Sequence, residues 1–152
     1  MPKVIFLPNE EFCPEGMVVD AAAGDNLLEV ATVLPAVNQV EYHPRMMQTS
    51  LAKYCKERGI QLEAWGPLMQ GKVFELDLLN DLAQKYNKTI AQIVLRWDIQ
   101  NGIVTIPKSV HPDRIKGNAE IFDFEISPED MELINSLNKE ERIGPDPDHI
   151  TF

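Results

Sequence analysis

From Pro35 onward the sequence alternates between two hydrophobic patterns, and that alternation leaves very few folds open. Residues 36–42 read as a strand that His43-Pro44 closes. Residues 48–58 follow with helical spacing, placing Leu51, Tyr54 and Cys55 on one face, and Gly59 stops them. Residues 60–65 return to strand character before the turn Gly66-Pro67. Leu79, Leu82, Ala83 and Tyr86 recur at the interval of an amphipathic helix. Thr89 with Gln92 makes a capping box for a second helix reaching about residue 100, with Ile93 and Trp97 turned inward. Asn101-Gly102 ends it, and residues 103–106 read as a short apolar strand of the parallel kind. Ser127-Pro128 opens a last helix with Met131, Ile134 and Leu137 as its buried stripe, ahead of an irregular tail. Strands alternating with helices predict parallel βαβ units, an α/β fold.

The first thirty residues are built differently. Residues 3–7 and 17–21 read as two strands joined by a turn-rich loop, and Asp25 caps a short helix through Leu27, Leu28 and Ala31. Six acids stand there against Lys3 alone, which is −5 of the net −10. That skew coincides with the change of pattern, so a boundary is placed near residue 31. The overall charge and a pI near 4.7 exclude nucleic acid and anionic membrane as partners, since both need a basic face. No apolar run approaches the length of a spanning helix, no export signal is seen at the N-terminus, and Cys13 and Cys55 have no paired spacing. A reduced, cytoplasmic protein is expected.

The chemistry is concentrated in residues 106–118, Ile-Pro-Lys-Ser-Val-His-Pro-Asp-Arg-Ile-Lys-Gly-Asn. A buried strand delivers Lys108 at its carboxyl end, Ser109 follows, and a short helix begins after Pro112 with Arg114 in its first turn. A cation, a hydroxyl, free amides at a helix start and a guanidinium fork suit an anion of the phosphate type. A solvated basic loop reads the same residues equally well. Glu41-Tyr42-His43 invites comparison with a metal or acid–base cluster, but alternation sends Glu41 and His43 to one face and Tyr42 to the other. Trp97, Met46 and Met47 read as core or helix-lead residues.

Lys108-Ser109 through Asn118, followed by Ile121-Phe122-Asp123-Phe124, resembles the C-terminal signature of the aldo-keto reductases, NADPH-dependent (β/α)8 barrels. Residues 35–44 resemble that family's sixth barrel strand, Ala64-Trp65-Gly66-Pro67-Leu68 its seventh, and residues 103–109 its eighth. The resemblance covers about residues 32–152 and implies the last three βα units of a TIM barrel, an oxidoreductase of aldehydes and ketones, with bacterial small-aldehyde and diketogluconate-type reductases nearest. Gln39 would then bond the nicotinamide carboxamide, Trp65 would stack on the nicotinamide ring, and Gly66, Leu68 and Gln70 would line the pyrophosphate. Lys108, Ser109, Val110 and Arg114 would hold the adenosine 2′-phosphate and Asn118 the adenine. Gly66 stands where a serine is frequent, His111 where a threonine is common, and Gly117 where an acid often contacts adenine, so the implied grip on NADP is weakened.

That family's reaction uses a tyrosine acid tuned by a lysine, an aspartate and a histidine from its first four strands. No segment here resembles them, and a closed barrel needs roughly 200–250 residues. Residues 1–31 resemble instead the first ββα of a bacterial [2Fe–2S] ferredoxin. Cys13 and Cys55 cannot supply the four ligands of a cluster, so no iron–sulfur centre is expected. The chain thus reads as a chimera: an NADP-binding fragment without turnover of its own, a structural chimera that binds nothing, or a reductase completed by a partner chain. Three parallel strands leave two edges, which predicts either cover from the N-terminal hairpin or pairing of chains through the sheet edge.

Overall fold

The computed structural model describes residues 3–6, 17–20 and 36–149. The chain divides into two compact units, Met1–Val37 and Asn38–Phe152, a division six residues beyond the boundary read at 31. In the first, β1 (Lys3–Phe6) and β2 (Met17–Asp20) form an antiparallel pair in which Lys3 faces Asp20 and Phe6 faces Met17. The two expected strands are therefore present. The short helix expected after Asp25, and Cys13, lie outside the described residues.

The larger part is a three-stranded sheet in the order β3 (Val37–Glu41), β4 (Gln61–Trp65), β5 (Val104–Thr105). It is a partial parallel sheet with helices, so the α/β expectation holds. β4 and β5 run parallel with Glu63 opposite Val104 and Ala64 opposite Thr105. The eighth-strand segment is shorter than expected, two residues rather than four, with Ile106 44% exposed beyond its end. Between strands come α1 (Thr49–Glu57), a 3-10 segment Met69–Glu75 that no hydrophobic period announced, α2 (Asp77–Tyr86) and α3 (Ile90–Gln100). α4 (Pro112–Ala119) and α5 (Pro128–Asn135) follow, and the tail holds a 3-10 turn, Pro147–His149.

Alternation along the strands decides which side chains are buried. Leu62 and Ala64 turn into the helix-covered core, where Leu79, Ile93, Trp97 and Ile134 are fully enclosed. Gln39, Glu63 and Trp65 belong to the opposite set and are half-buried or exposed. One expectation fails: Tyr54 is 50% exposed rather than packed, because the Arg58 guanidinium lies 3.7 Å over its ring and holds it at the surface.

The helix ends follow local chemistry. The Thr89 hydroxyl accepts from the Gln92 amide at 3.2 Å, and the Gln92 side chain accepts from Thr89 N–H at 2.9 Å, the expected capping box. Gln92 Nε2 also donates to the carbonyls of Gly117 and Glu120, tying α4 to the cap. Thr89→Ala is expected to cost about 1 kcal/mol, read from the midpoint of denaturant unfolding. The α5 cap is Ser127, and buried Asp130 beside it accepts from Lys85 at 2.6 Å and from the Tyr86 hydroxyl, which fixes α5 on α2.

Asp98, in the last turn of α3, is the exception to this satisfied pattern. Its carboxyl is fully buried, and among the described residues both oxygens lack a hydrogen-bond partner, as do Asn101 Nδ2 and Thr105 Oγ1. Burial pushes its pKa well above the usual carboxylate range, and the adjacent Thr105 hydroxyl, short of good bonding geometry, opposes this only in part. The native carboxyl keeps its proton to higher pH than the unfolded one, so stability falls as pH rises from roughly 4. Asp98→Asn is expected to flatten that slope, measured as unfolding midpoint against pH; an unchanged slope refutes the assignment.

Candidate functional site

In a parallel sheet the carboxyl ends of the strands open on one rim, and that is where ligands gather. β4 ends at Trp65, whose carbonyl accepts from Tyr42 N–H at the end of β3. Trp65 is half-buried. The chain then turns through Gly66 at φ +66°, a left-handed conformation that favours glycine over the serine frequent in the resembled family. Leu68 is half-buried and Gln70 exposed. Met69 (φ 52°) and Gln70 (φ 54°) are both left-handed, an uncommon pairing for residues with side chains and one that marks strained loops at ligand sites.

β5 delivers the second half of the rim. Lys108 and Arg114 are exposed, and neither has an ion pair or hydrogen bond among the described residues. Ser109 lies between them; its oxygen accepts from His111 N–H at 3.2 Å, which leaves its own O–H free to donate. His111 is the N-cap of α4 without a side-chain cap, and Pro112 occupies the first helical turn where it lacks only a redundant donor. Val110 is 71% exposed, its backbone in the same loop, and Asn118 is half-buried on α4. Two unpaired cations, a free hydroxyl and uncapped amides fit a dianion, with Asp113 in the first turn the one charge opposing it.

Gln39 stands apart from both groups. It lies within β3 rather than at its end, and its amide donates to Glu63 across the sheet, leaving its carbonyl oxygen for other partners. The strand-end cluster is resolved as expected. Glu41 and His43 share a face, with His43 Nε2 donating to Glu41 Oε1 at 3.0 Å, while Tyr42 stacks on Trp97 at 5.3 Å between centroids. Arg45 N–H donates to Nδ1, which sets the proton of the neutral ring on Nε2. Burial lowers the His43 pKa despite Glu41. Burial alone would raise that of Glu41, but the Ile143 amide, His43 and the Gly144 amide more than offset it and hold the carboxyl below its usual range. The pair is thus a neutral histidine donating to a carboxylate. Burial, with the Asp98 charge behind it, pushes the Tyr42 phenol far above the range of a useful proton donor. Among the described residues no group of three or more metal-ligating side chains is present, and no helix is long and apolar enough to cross a membrane.

What sequence reasoning missed is the C-terminal tail. Gly144 sits so close to Trp65 that a Cβ there would stand 2.2 Å from Cη2. Nothing local in residues 138–149 signals that contact, since its partner is nearly 80 positions away.

Comparison with known proteins gives the same neighbourhood. The pattern of the Aldo/keto reductase family matches residues 19–139, beginning twelve residues before the boundary read at 31, and none of the comparisons supports a ferredoxin origin for the residues before it. The chain is similar to the glyoxal reductase of Bacillus subtilis (strain 168), 56% identical over 128 residues, covering 84% of this chain and 46% of that protein. It is similar also to the methylglyoxal reductase DkgA of Escherichia coli (strain K12), 44% identical over 124 residues, with 80% and 45% covered. Among solved structures it resembles a Gox0644 variant in complex with NADPH, TM-score 0.76 at 37% identity, covering 83% of this chain and 47% of that one. A Bombyx mori aldo-keto reductase in complex with NADP gives 0.69 at 32%, with 80% and 43% covered. The chain spans just under half the length of the curated relatives it matches.

Proposed function

The chain belongs to the aldo/keto reductase family, and we propose that it is the NADP(H)-holding part of a reductase of small aldehydes and ketones, without turnover of its own. The observation that carries this reading is the pair of exposed cations, Lys108 and Arg114, unpaired among the described residues and flanking the free hydroxyl of Ser109 at the carboxyl end of β5. Lys108, Ser109, Arg114 and the Val110 amide would take the 2′-phosphate, and Asn118 the adenine. Gly66, Leu68 and Gln70 would border the pyrophosphate, Trp65 would offer an aromatic face to the nicotinamide, and Gln39 its remaining carbonyl oxygen. NADPH, when bound, supplies a hydride to a carbonyl carbon. The NADPH and NADP complexes among the structural neighbours support the cofactor, and the names of the glyoxal and methylglyoxal reductases support small oxo-aldehydes as the substrate class.

The proton for the carbonyl oxygen needs a donor, and no segment of this sequence resembles the family's Asp/Tyr/Lys/His set. We therefore read the chain by itself as a cofactor binder rather than a catalyst, and residues 1–31 as a ferredoxin-like segment joined to it. Contiguity of the coding sequence tests the latter. Titration of tryptophan fluorescence with NADPH and NADH tests the former: NADPH should quench at micromolar to sub-millimolar concentration and NADH only far above it. Absence of quenching at millimolar NADPH removes the binding reading, and aldehyde-dependent oxidation of NADPH by the isolated chain removes the claim of inactivity.

A further inference from the structure

The tail is stitched to the segment 41–47 by hydrogen bonds that end on one buried carboxylate. Met47 N–H donates to Asn138 Oδ1 at 3.1 Å, and the Arg45 carbonyl accepts from the amides of Lys139 at 3.2 Å and Glu141 at 2.9 Å. Glu41 then receives the amide of Ile143 at 2.6 Å and that of Gly144 at 3.1 and 3.2 Å. With His43, three donors converge on a side chain only 2% exposed, and Arg142 stands 4.0 Å from its second oxygen.

The last of these amides belongs to the residue that touches Trp65. A Cβ on Gly144 would lie 2.2 Å from Cη2 but 3.0 and 3.2 Å from the flanking Cζ2 and Cζ3. Those unequal distances describe an approach in the ring plane, at the tip of the indole, so the tail backs the ring without covering its faces.

We propose that residues 138–144 form a fixed wall of the Trp65 site, and that Glu41 is the positioning residue that fastens it. Glutamine in its place keeps the shape but not the function. Its one oxygen can still face the donors that meet at Oε1, but it loses the negative charge and puts an NH2 group where Oε2 accepts from Gly144 N–H and faces Arg142. The wall bears on the cofactor through the reading of Trp65 as nicotinamide platform, on which this inference rests for its functional meaning; the fastening itself does not depend on that reading.

The chain has two tryptophans, and Trp97 is fully enclosed, so acrylamide quenching reports chiefly on Trp65. Glu41→Gln is expected to raise the quenching constant about twofold or more as the tail lifts. It should also weaken NADPH roughly tenfold while leaving 2′,5′-ADP, which reaches only the 108–118 loop, within about twofold. Gly144→Ala, which leaves the Glu41 carboxylate in place and forces ring and tail apart, should reproduce both effects and serves if Glu41→Gln does not fold. Wild-type quenching in the variants overturns the wall. Equal losses of NADPH and 2′,5′-ADP overturn positioning in favour of a general structural role. If wild-type protein binds neither probe, the cofactor reading falls and the quenching constants alone decide the wall.

Discussion

Replacing Arg114 with alanine is expected to weaken NADPH binding about ten- to a hundredfold and to leave NADH almost unchanged. The side chain is exposed and has no partner among the described residues, so its removal breaks no contact of the fold and costs little stability. What is lost is a charge-assisted hydrogen bond to a phosphate, worth roughly 1.5–3 kcal/mol, and each 1.4 kcal/mol is about a factor of ten in affinity. Lys108→Ala should act alike, and the double variant should lose less than the sum because both cations serve one anion. The measurement is a fluorescence titration with each cofactor at fixed ionic strength. Equal losses for NADPH and NADH would place the phosphate elsewhere.

The largest effect on stability is expected at Trp97. Its ring is fully enclosed, stacks on Tyr42, and donates its indole N–H to Asn135 at 2.9 Å, so one side chain joins β3, α3 and α5. Trp97→Ala removes the burial, the stacking and the partner of a half-buried amide, for about 3–5 kcal/mol. For a chain whose total stability is roughly 5–15 kcal/mol, that is a large share. Trp97→Phe should recover most of the packing but not the Asn135 bond. A lower urea midpoint with an unchanged slope confirms this; a drop below about 1 kcal/mol for alanine contradicts the assignment of Trp97 to the core.

Features governed by neighbours in sequence were legible before any coordinates. The Thr89–Gln92 box needs only four residues and the preferences of a helix end. The divergence of Glu41 and His43 from Tyr42 needs only the pleat. The left-handed Gly59 and Gly102, closing α1 and α3, follow from the one residue type that adopts that conformation freely. Features governed by distant partners were not legible. Tyr54 has the spacing of a core residue, yet nothing stands opposite it, and Arg58 takes the ring instead. Nothing near Asp98 in sequence signals that its carboxyl is fully buried. The 3-10 segment turns on left-handed Met69 and Gln70, which no propensity favours.

The candidate site divides along the same line. Lys108 to Asn118 is a single loop and helix, so its residue types carry the reading. Trp65 and Gln39 depend on strand neighbours, and the structure pairs Gln39 with Glu63 in a way that spacing cannot show. The wall behind Trp65 depends on residues at the far end of the chain.

That wall has a consequence for the order in which the molecule takes shape. The bond from Ile143 to Glu41 closes a loop of 102 positions. Made in an unstructured chain, such a closure costs on the order of 4 kcal/mol in entropy, more than one hydrogen bond returns. Made after β3, β4 and the helix between them have packed, it only orders a short strap already held near its target. The strap also leaves the ribosome after β3, β4, β5 and the helices α1–α5. The rim at Trp65 is therefore finished after the core, and a chain cut short of residue 138 would have that core in place and the wall missing.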